Sequence, residues 1–366
     1  MHKTMVFGAG RIGILVSALL ADSGDYQVFL ADIAPPDSLP TLDKNQKNLE
    51  VVEVDVNDTE TVKKLIDTHH IDTLISCLPF HCNEAIAKIA VEKDANYFDL
   101  TEDVGTTKSV ANLSKSAKGT FMPQCGLAPG FISIVTNNII QRFDSVDSVT
   151  MRVGALPTNV SNPLHYALTW STEGLINEYV KPCRALREGE IRWCNPLEDL
   201  EEIKINGLTY EAFNTSGGVG SLIETYQGKI NTMNYKTIRY PGHCEKMRFL
   251  LDGLKLKRQQ SLLSQILENA IPQMQQDVVL IYVSVQGFAH GTLQEMNFAE
   301  KFYPETHFGS TWSAIQMTTA SSICGVVDLI VHDNKFSGRL VHQEEVDFHA
   351  FEDNRFGQYF RSGKGV

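Results

Sequence analysis

The sequence predicts an α/β protein: a doubly wound parallel sheet carrying an inserted α+β domain. Three observations support this. Strand-like and helix-like runs alternate through the first third of the chain, a G-x-G-x-x-G turn joins the first strand to the first helix, and longer period-two strands follow Gly130.

The first unit of that pattern is the most specific. Residues 5–7 form a strand, Gly8, Gly10 and Gly13 fall in the turn, an apolar helix follows, and a second strand ends at Asp32. Gly8 suits a tight turn, Gly10 lets backbone approach a pyrophosphate, and Gly13 lets helix and strand pack closely. The helix start at Arg11 and Ile12 offers unpaired N–H groups to the phosphates. Asp32, about 20 residues beyond the glycines, is placed to bond ribose hydroxyls. This is the Rossmann pattern, and it predicts a bound dinucleotide. A carboxylate at Asp32 repels a 2′-phosphate, and residues 33–35 offer no Arg or Lys to receive one. NAD is therefore expected over NADP. A signal-peptide reading of the N-terminus fails because Arg11 interrupts the apolar stretch.

Further βα units follow in order. Strands are predicted at 49–54, 72–78, 96–100 and 120–123, with helices at 59–68, 82–92 and 106–118. After Gly130 a helix spans 131–143. Alternating strands then occupy 148–153, 203–205 and 278–286, in a pattern expected of antiparallel pairing. Residues 313–331 read as one amphipathic helix that returns the chain to the first domain, and 356–366 as a surface tail. The domains are thus 1–130 plus 310–366, and 131–309 inserted between them.

A length of 366 residues suits two domains, and 43% hydrophobic residues supply two cores. A net charge of −12 argues against nucleic acid and anionic membrane surfaces. No apolar run approaches the ~20 residues of a membrane span. Seven scattered cysteines without a C-x-x-C pair read as reduced thiols of a cytoplasmic protein, with no metal site expected.

In an open parallel sheet, ligands bind beyond the carboxyl ends of the strands. The loops there hold Asp55 and Val56, then Cys77, Leu78, Pro79 and His81, then Asp99, Thr101 and Glu102. The second loop is expected to pass beneath the cofactor, with Asp99 and Glu102 near the nicotinamide. Helix capping is the alternative role for these two acids. Polar stretches in the second domain supply Asn214, Ser216 and Gly217, in a turn that serves as a hinge or lines the substrate. They also supply Arg239, a bidentate carboxylate clamp or a surface ion pair, and His243.

At the Gly8–Gly13 turn, residues 97–102, 124–130, 213–220 and 236–243, the chain resembles the saccharopine dehydrogenase and lysine 6-dehydrogenase family over nearly its whole length. The resemblance implies NAD(P)-dependent oxidation of a C–N bond in an amino-acid substrate. It raises Asp99, Glu102 and Arg239 as site members, and leaves Asp99, Glu102, His81 and His243 as acid–base candidates. It implies saccharopine dehydrogenase (glutamate-forming) first and lysine 6-dehydrogenase second. A carboxyamine or polyamine synthase and a non-catalytic nucleotide sensor are further readings. Saccharopine needs several carboxylate clamps, for which Arg152, Arg184, Arg187, Arg192 and Arg248 are candidates, whereas lysine needs one. A homodimer is expected.

Overall fold

The computed structural model describes residues 1–361 apart from 37, 40, 43, 44 and 273. The chain divides into two compact units. The first comprises Met1–Phe131, Thr306–Thr311 and Gln316–Arg361, and the second Ile132–Glu305 with Trp312–Ile315.

The first unit runs β1 (His2–Phe7), α1 (Arg11–Asp22), β2 (Tyr26–Asp32), β3 (Leu49–Glu53), α2 (Thr59–His69), β4 (Thr73–Ser76), α3 (Asn83–Glu92), β5 (Asn96–Asp99), α4 (Val104–Leu113) and β6 (Phe121–Met122). Its six strands lie in the order β3-β2-β1-β4-β5-β6, every pair parallel. The order reverses between β1 and β4, which creates a switch point at their carboxyl ends. β4 is buried along its whole length, as expected for a strand covered on both faces. Met5, Phe29, Leu74, Ile86, Tyr97 and Phe121 belong to the core on one side of this sheet. Asp58 and Asp103 cap α2 and α4 by accepting the amides of Thr61 and Thr106, at 3.2 and 2.8 Å.

Helix α5 (Phe131–Ile140) precedes the strands of the second unit. These are β7 (Ser145–Pro157), β8 (Cys183–Arg187), β9 (Glu190–Cys194), β10 (Glu201–Ile205), β11 (Leu208–Asn214), β12 (Thr232–Arg239), β13 (Asp277–Ala289) and β14 (Thr292–Phe302). The helices α6 (Thr172–Val180), α7 (Leu222–Thr225), α8 (His243–Arg248) and α9 (Gln260–Ala270) are interspersed. The sheet order is β10-β11-β12-β7-β13-β14, with the β8–β9 hairpin joined to β12. The sheet is mixed rather than wholly antiparallel, because β12 pairs parallel with β7. Period two marks a strand's two faces but carries no information on its neighbour's direction.

The chain returns through α10 (Ala314–Val331) and α11 (Phe348–Asp353). Helix α10 is not amphipathic as expected. It is buried on nearly every side, Ser321 and Ser322 included. Ser322 satisfies its hydroxyl on the Gly126 carbonyl at 2.8 Å, so polar residues cause no penalty there. By length and composition α10 is also apolar enough to cross a membrane, contrary to the expectation that no run approaches such a span, yet 78% of it is buried inside the protein. The expected surface tail is corrected too, as far as residue 361. Phe356, Tyr359 and Phe360 are buried, and the Phe360 ring stacks on Phe131 at 3.8 Å. The rest of that tail lies outside the described residues.

One buried carboxylate ties the ends of the first unit together. Asp328 on α10 accepts from the Tyr26 hydroxyl (2.8 Å), Asn354 (2.7 Å) and the Arg355 guanidinium (2.7 Å). Burial raises its pKa, but the bonds from Arg355, Asn354 and Tyr26 outweigh this and hold it below the usual carboxylate range. A depressed folded pKa gives stability that is complete above the unfolded value and lost as pH falls through the folded one. Asp328→Asn is expected to cost about 2 kcal/mol near pH 7, less than a fully buried pair because Arg355 is a third exposed. In urea titrations the variant should also lose part of the stability decline seen below about pH 4.

Candidate active site

The nucleotide turn is built by backbone bonds among the ends of four neighbouring strands, β3, β2, β1 and β4. The Gly8 amide donates to Ala31 (2.8 Å), Cys77 donates to Phe7 (2.8 Å), and Val54 donates to Asp32 (2.9 Å). Gly8 has φ +100°, and a Cβ there would press on the Cys77 backbone. A Cβ at Gly13 would overlap the Gly8 carbonyl oxygen. A Cβ at Gly10 would meet nothing within 4 Å, so the face of the turn stands open beside the helix start. Unlike α2 and α4, α1 begins without a side-chain cap, at Gly10. Its first amides, at Arg11, Ile12 and Gly13, therefore suit the phosphates of a dinucleotide. Arg11 is exposed and Ile12 partly buried.

Asp32 is held by this turn. One carboxylate oxygen accepts the Ala9 amide at 2.6 Å and the other the Ala34 amide at 2.9 Å. Asp55 and Val56 lie partly buried beyond β3, where Asp55 holds Asn57 by its amide and side chain, each at 2.9 Å. Cys77 and Leu78 are partly buried beyond β4 and Pro79 is exposed. Burial, with Asp99 nearby, pushes the Cys77 thiol up to about 12. His81 follows in a short turn, exposed and edge-on to Phe80 at 5.9 Å.

Asp99, an acid–base candidate by its position, has its carboxylate turned into the protein. It is fully buried and accepts three bonds: from the Tyr97 hydroxyl (2.7 Å) and from the amides of Thr101 and Gln124 (both 2.9 Å). Burial raises its pKa against these bonds, and no part of the carboxylate reaches solvent. Asp99 is a structural tie between the loops after β5 and β6. Thr101 is likewise turned inward, its hydroxyl accepting the Asp103 amide at 3.2 Å. The cap of α4 is Asp103, so capping is the role of neither Asp99 nor Glu102. Glu102 is partly buried in this loop.

In the second unit, β12 ends at Arg239 and α8 starts at His243, and the two side chains meet through Tyr179 of α6. Arg239 Nε donates to the Tyr179 hydroxyl (2.9 Å), which lies 3.1 Å from His243 Nε2, while His243 Nδ1 lies 2.7 Å from the Leu164 carbonyl. One assignment satisfies every group. Nδ1 carries the proton and donates to Leu164, so Nε2 accepts from Tyr179. Burial, reinforced by the Arg239 charge, lowers the His243 pKa to about 3. His243, one of the four acid–base candidates, is thus a neutral ring with both nitrogens engaged inside the protein.

Arg239 is 3% exposed, so a surface ion pair is excluded. It donates through Nη1 to the Ile238 carbonyl at 2.9 Å and lies over the Tyr166 ring at 4.9 Å. Nη2 makes no hydrogen bond, and among the described residues no carboxylate lies within ion-pair distance of the guanidinium. Nearby in sequence to the stacked Tyr166, two hydroxyls are buried without partners: Tyr166 Oη and Thr169 Oγ1. A buried cation beside unpaired hydroxyls is an arrangement that a ligand carboxylate would complete.

The 213–220 stretch is buried throughout. Asn214 donates to Asp199 at 2.9 Å, leaving its Oδ1 without a partner, and Ser216 donates to the Pro182 carbonyl at 3.2 Å. Gly217 has φ +93°, and a Cβ at Gly218 would strike the Tyr235 ring. The further arginine candidates are mostly engaged. Arg152 bonds Glu201, Arg184 bonds Glu224, Arg187 bonds Asp199 and Arg248 bonds the Leu197 carbonyl. Arg192 is exposed. Sequence reasoning missed Tyr166 and Tyr179, and also Glu211. Glu211 accepts the Gly242 and Cys244 amides at the start of α8, at 2.8 and 2.6 Å. Residues 161–171 form a polar run in the sequence, and Tyr166 lies within it together with Thr169; that run is the one signal for any of them.

A parallel sheet with this turn at its switch point and a second, mixed-sheet unit defines a dinucleotide-binding protein of the Rossmann class. The chain belongs to the saccharopine dehydrogenase family. Residues 4–121 match the model of the saccharopine dehydrogenase NADP binding domain, and residues 126–352 that of the saccharopine dehydrogenase C-terminal domain. The family supports an oxidoreductase with a nicotinamide cofactor. The chain is 27% identical over 173 residues to the alpha-aminoadipic semialdehyde synthase of Arabidopsis thaliana, covering 46% of this chain and 16% of that protein. It is 24% identical over 260 residues to the mitochondrial protein of that name from Mus musculus, covering 67% and 27%. The chain thus spans well under half the length of these relatives. Among solved structures, the glutamate-forming saccharopine dehydrogenase of Saccharomyces cerevisiae shares the fold with a TM-score of 0.74 at 15% identity, over 94% of each chain. The homospermidine synthase of Legionella pneumophila, in complex with NAD, has a TM-score of 0.64 at 14% identity, over 98% of this chain and 89% of that one.

The geometry makes two tests. Gly13→Ala is expected to abolish nucleotide binding in fluorescence titration, because the turn must open to accommodate the methyl group. For His243, whose folded pKa lies below the usual 6.5, the unfolded chain binds the extra proton. Stability should therefore decline as pH falls from about 6.5 towards 3, and His243→Gln should flatten that limb of the urea-midpoint profile.

Proposed function

We propose that this protein is an NAD-dependent saccharopine dehydrogenase, converting saccharopine, NAD and water to glutamate, aminoadipate semialdehyde, NADH and a proton in lysine metabolism. The buried, unpaired Arg239 is the observation that carries the reading to an amino-acid substrate. A guanidinium removed from water at this cost is best explained by a carboxylate that pairs with it in two parallel bonds. The Tyr166 and Thr169 hydroxyls are available to donate to the same group. NAD supplies the hydride acceptor when bound at the glycine turn, with Asp32 at the ribose. The amine must lose its proton before it is oxidised, and water then adds to the resulting imine. With Asp99 and His243 committed to structure, Glu102 and His81 remain as the groups for that proton.

A second reading has specific support. Four of the five further arginine candidates are bound within the protein and the fifth, Arg192, is exposed, so Arg239 is the one buried clamp, which suits lysine, with one carboxylate, as substrate of a deaminating lysine 6-dehydrogenase. A polyamine-type synthase or a nucleotide sensor would use the same Rossmann unit. We further propose a homodimer in the cytoplasm.

Absorbance of NADH at 340 nm, with saccharopine and lysine each offered with NAD and NADP, separates these readings. Turnover of saccharopine alone supports the proposal, lysine alone supports the second reading, and nucleotide binding without turnover supports the sensor. Arg239→Gln should raise KM for the active substrate by roughly a hundredfold, the loss of a charge-assisted bidentate contact, with a smaller change in kcat. Asp32→Ala should narrow the preference for NAD over NADP; an unchanged ratio would remove Asp32 from the ribose site.

A further inference from the structure

The β8–β9 hairpin places two cysteines directly across from each other. Cys183, the first residue of β8, is the register partner of Cys194, the last residue of β9. Directly opposed residues of an antiparallel pair have Cα atoms about 4.5–5.5 Å apart, inside the range that a disulfide spans. Both cysteines are free thiols. Cys183 is buried and Cys194 partly exposed, with the Cys194 thiol 3.7 Å from the Cys183 carbonyl. The Cys183 thiol donates to the Lys181 carbonyl at 4.0 Å, and the two sulfurs lie close enough for each to perturb the other. This interaction, helped by Arg187, lowers the pKa of Cys194, and together with burial it raises that of Cys183. The exposed member is thus the readier nucleophile and the buried member the one that resolves.

The hairpin is tied at both ends to the buried 213–220 stretch. Ser216 donates to the carbonyl of Pro182, one residue before Cys183. Beyond Cys194, the Leu197 amide donates to Asn214 at 2.8 Å, and the Asn214 amide donates to Glu198 at 3.0 Å. Neither the family nor the oxidoreductase activity calls for a facing thiol pair at this place.

We propose that Cys183 and Cys194 form a reversible modification site, a cross-strand disulfide made by hydrogen peroxide and reopened by a dithiol, which stiffens the Asn214–Ser216 segment. The Cys194 thiolate attacks one peroxide oxygen, the O–O bond breaks, and the departing hydroxide takes up a proton to leave as water. The Cys194 sulfenic acid is then attacked by the Cys183 sulfur, so that the S–S bond forms, the S–O bond breaks, and a second water leaves. The two sulfurs are oxidised by two electrons in all, and the peroxide is reduced by two.

The test is peroxide treatment of the purified full chain, alkylation with N-ethylmaleimide in denaturant without reductant, and peptide mapping by mass spectrometry. The expected result is joint loss of alkylation at Cys183 and Cys194, a linked peptide pair two hydrogens lighter, and joint recovery after dithiothreitol. In Cys183→Ser the Cys194 sulfenic acid should persist and be trapped by dimedone, while in Cys194→Ser residue Cys183 should stay alkylatable. Continued alkylation of both thiols, linkage to another cysteine, or over-oxidation of Cys194 without linkage in the unmodified chain would overturn the site. Amide exchange at 214–216 should slow in the oxidised form and recover on reduction; unchanged exchange would overturn the coupling to that segment.

Discussion

A positive charge that cannot be neutralised constrains the second unit more than any other feature. Guanidinium groups stay protonated at any accessible pH, so burying Arg239 obliges the surroundings to receive it. They do so with no acid in direct contact, although the buried Glu178 carboxylate favours the charge through space. The Tyr179 oxygen and the Ile238 carbonyl take two of its donors, and the Tyr166 ring offers its negative face. Because Tyr179 accepts from arginine, its own proton goes to His243, and His243 must then be neutral and donate to Leu164. One charge thereby sets a tautomer, a rotamer and the start of α8. Three of its five N–H donors are left over, enough for the two parallel bonds of a bound carboxylate.

The first unit is organised by the opposite charge, with a different outcome. Asp32 ends β2 and Asp99 ends β5 of one sheet, yet Asp32 holds two amides at the open turn while Asp99 is sealed by three donors. A carboxylate saturated by donors and closed to solvent acts as a cross-link. One at a turn that leaves room for a ligand can still recognise hydroxyls. Position at the carboxyl end of a strand therefore does not suffice to make an acid catalytic. Whether its lone pairs are already taken decides the matter.

The β8–β9 hairpin illustrates how chemistry can enter through register. Nothing in the spacing of eleven residues between Cys183 and Cys194 marks them as partners. A two-stranded pairing in which residue 187 faces 190 does, because every pair further along is then determined.

The sequence by itself determined the Rossmann unit, the nucleotide turn and the acid at the end of β2. These rest on local rules: the 2.0 and 3.6 periodicities, glycine where a Cβ would collide, and a strand–turn–helix that is contiguous in the chain. It also marked Arg239, through a motif that its family shares. Only the tertiary structure decided that Asp99 and His243 are ties, that α10 is buried all round, and that the second sheet is mixed. Those properties depend on which distant groups fill a residue's surroundings. Tyr97 and Gln124 around Asp99, or Tyr179 and Leu164 around His243, become neighbours only when the chain has packed, and the number of donors reaching an atom has no signature in the order of residues.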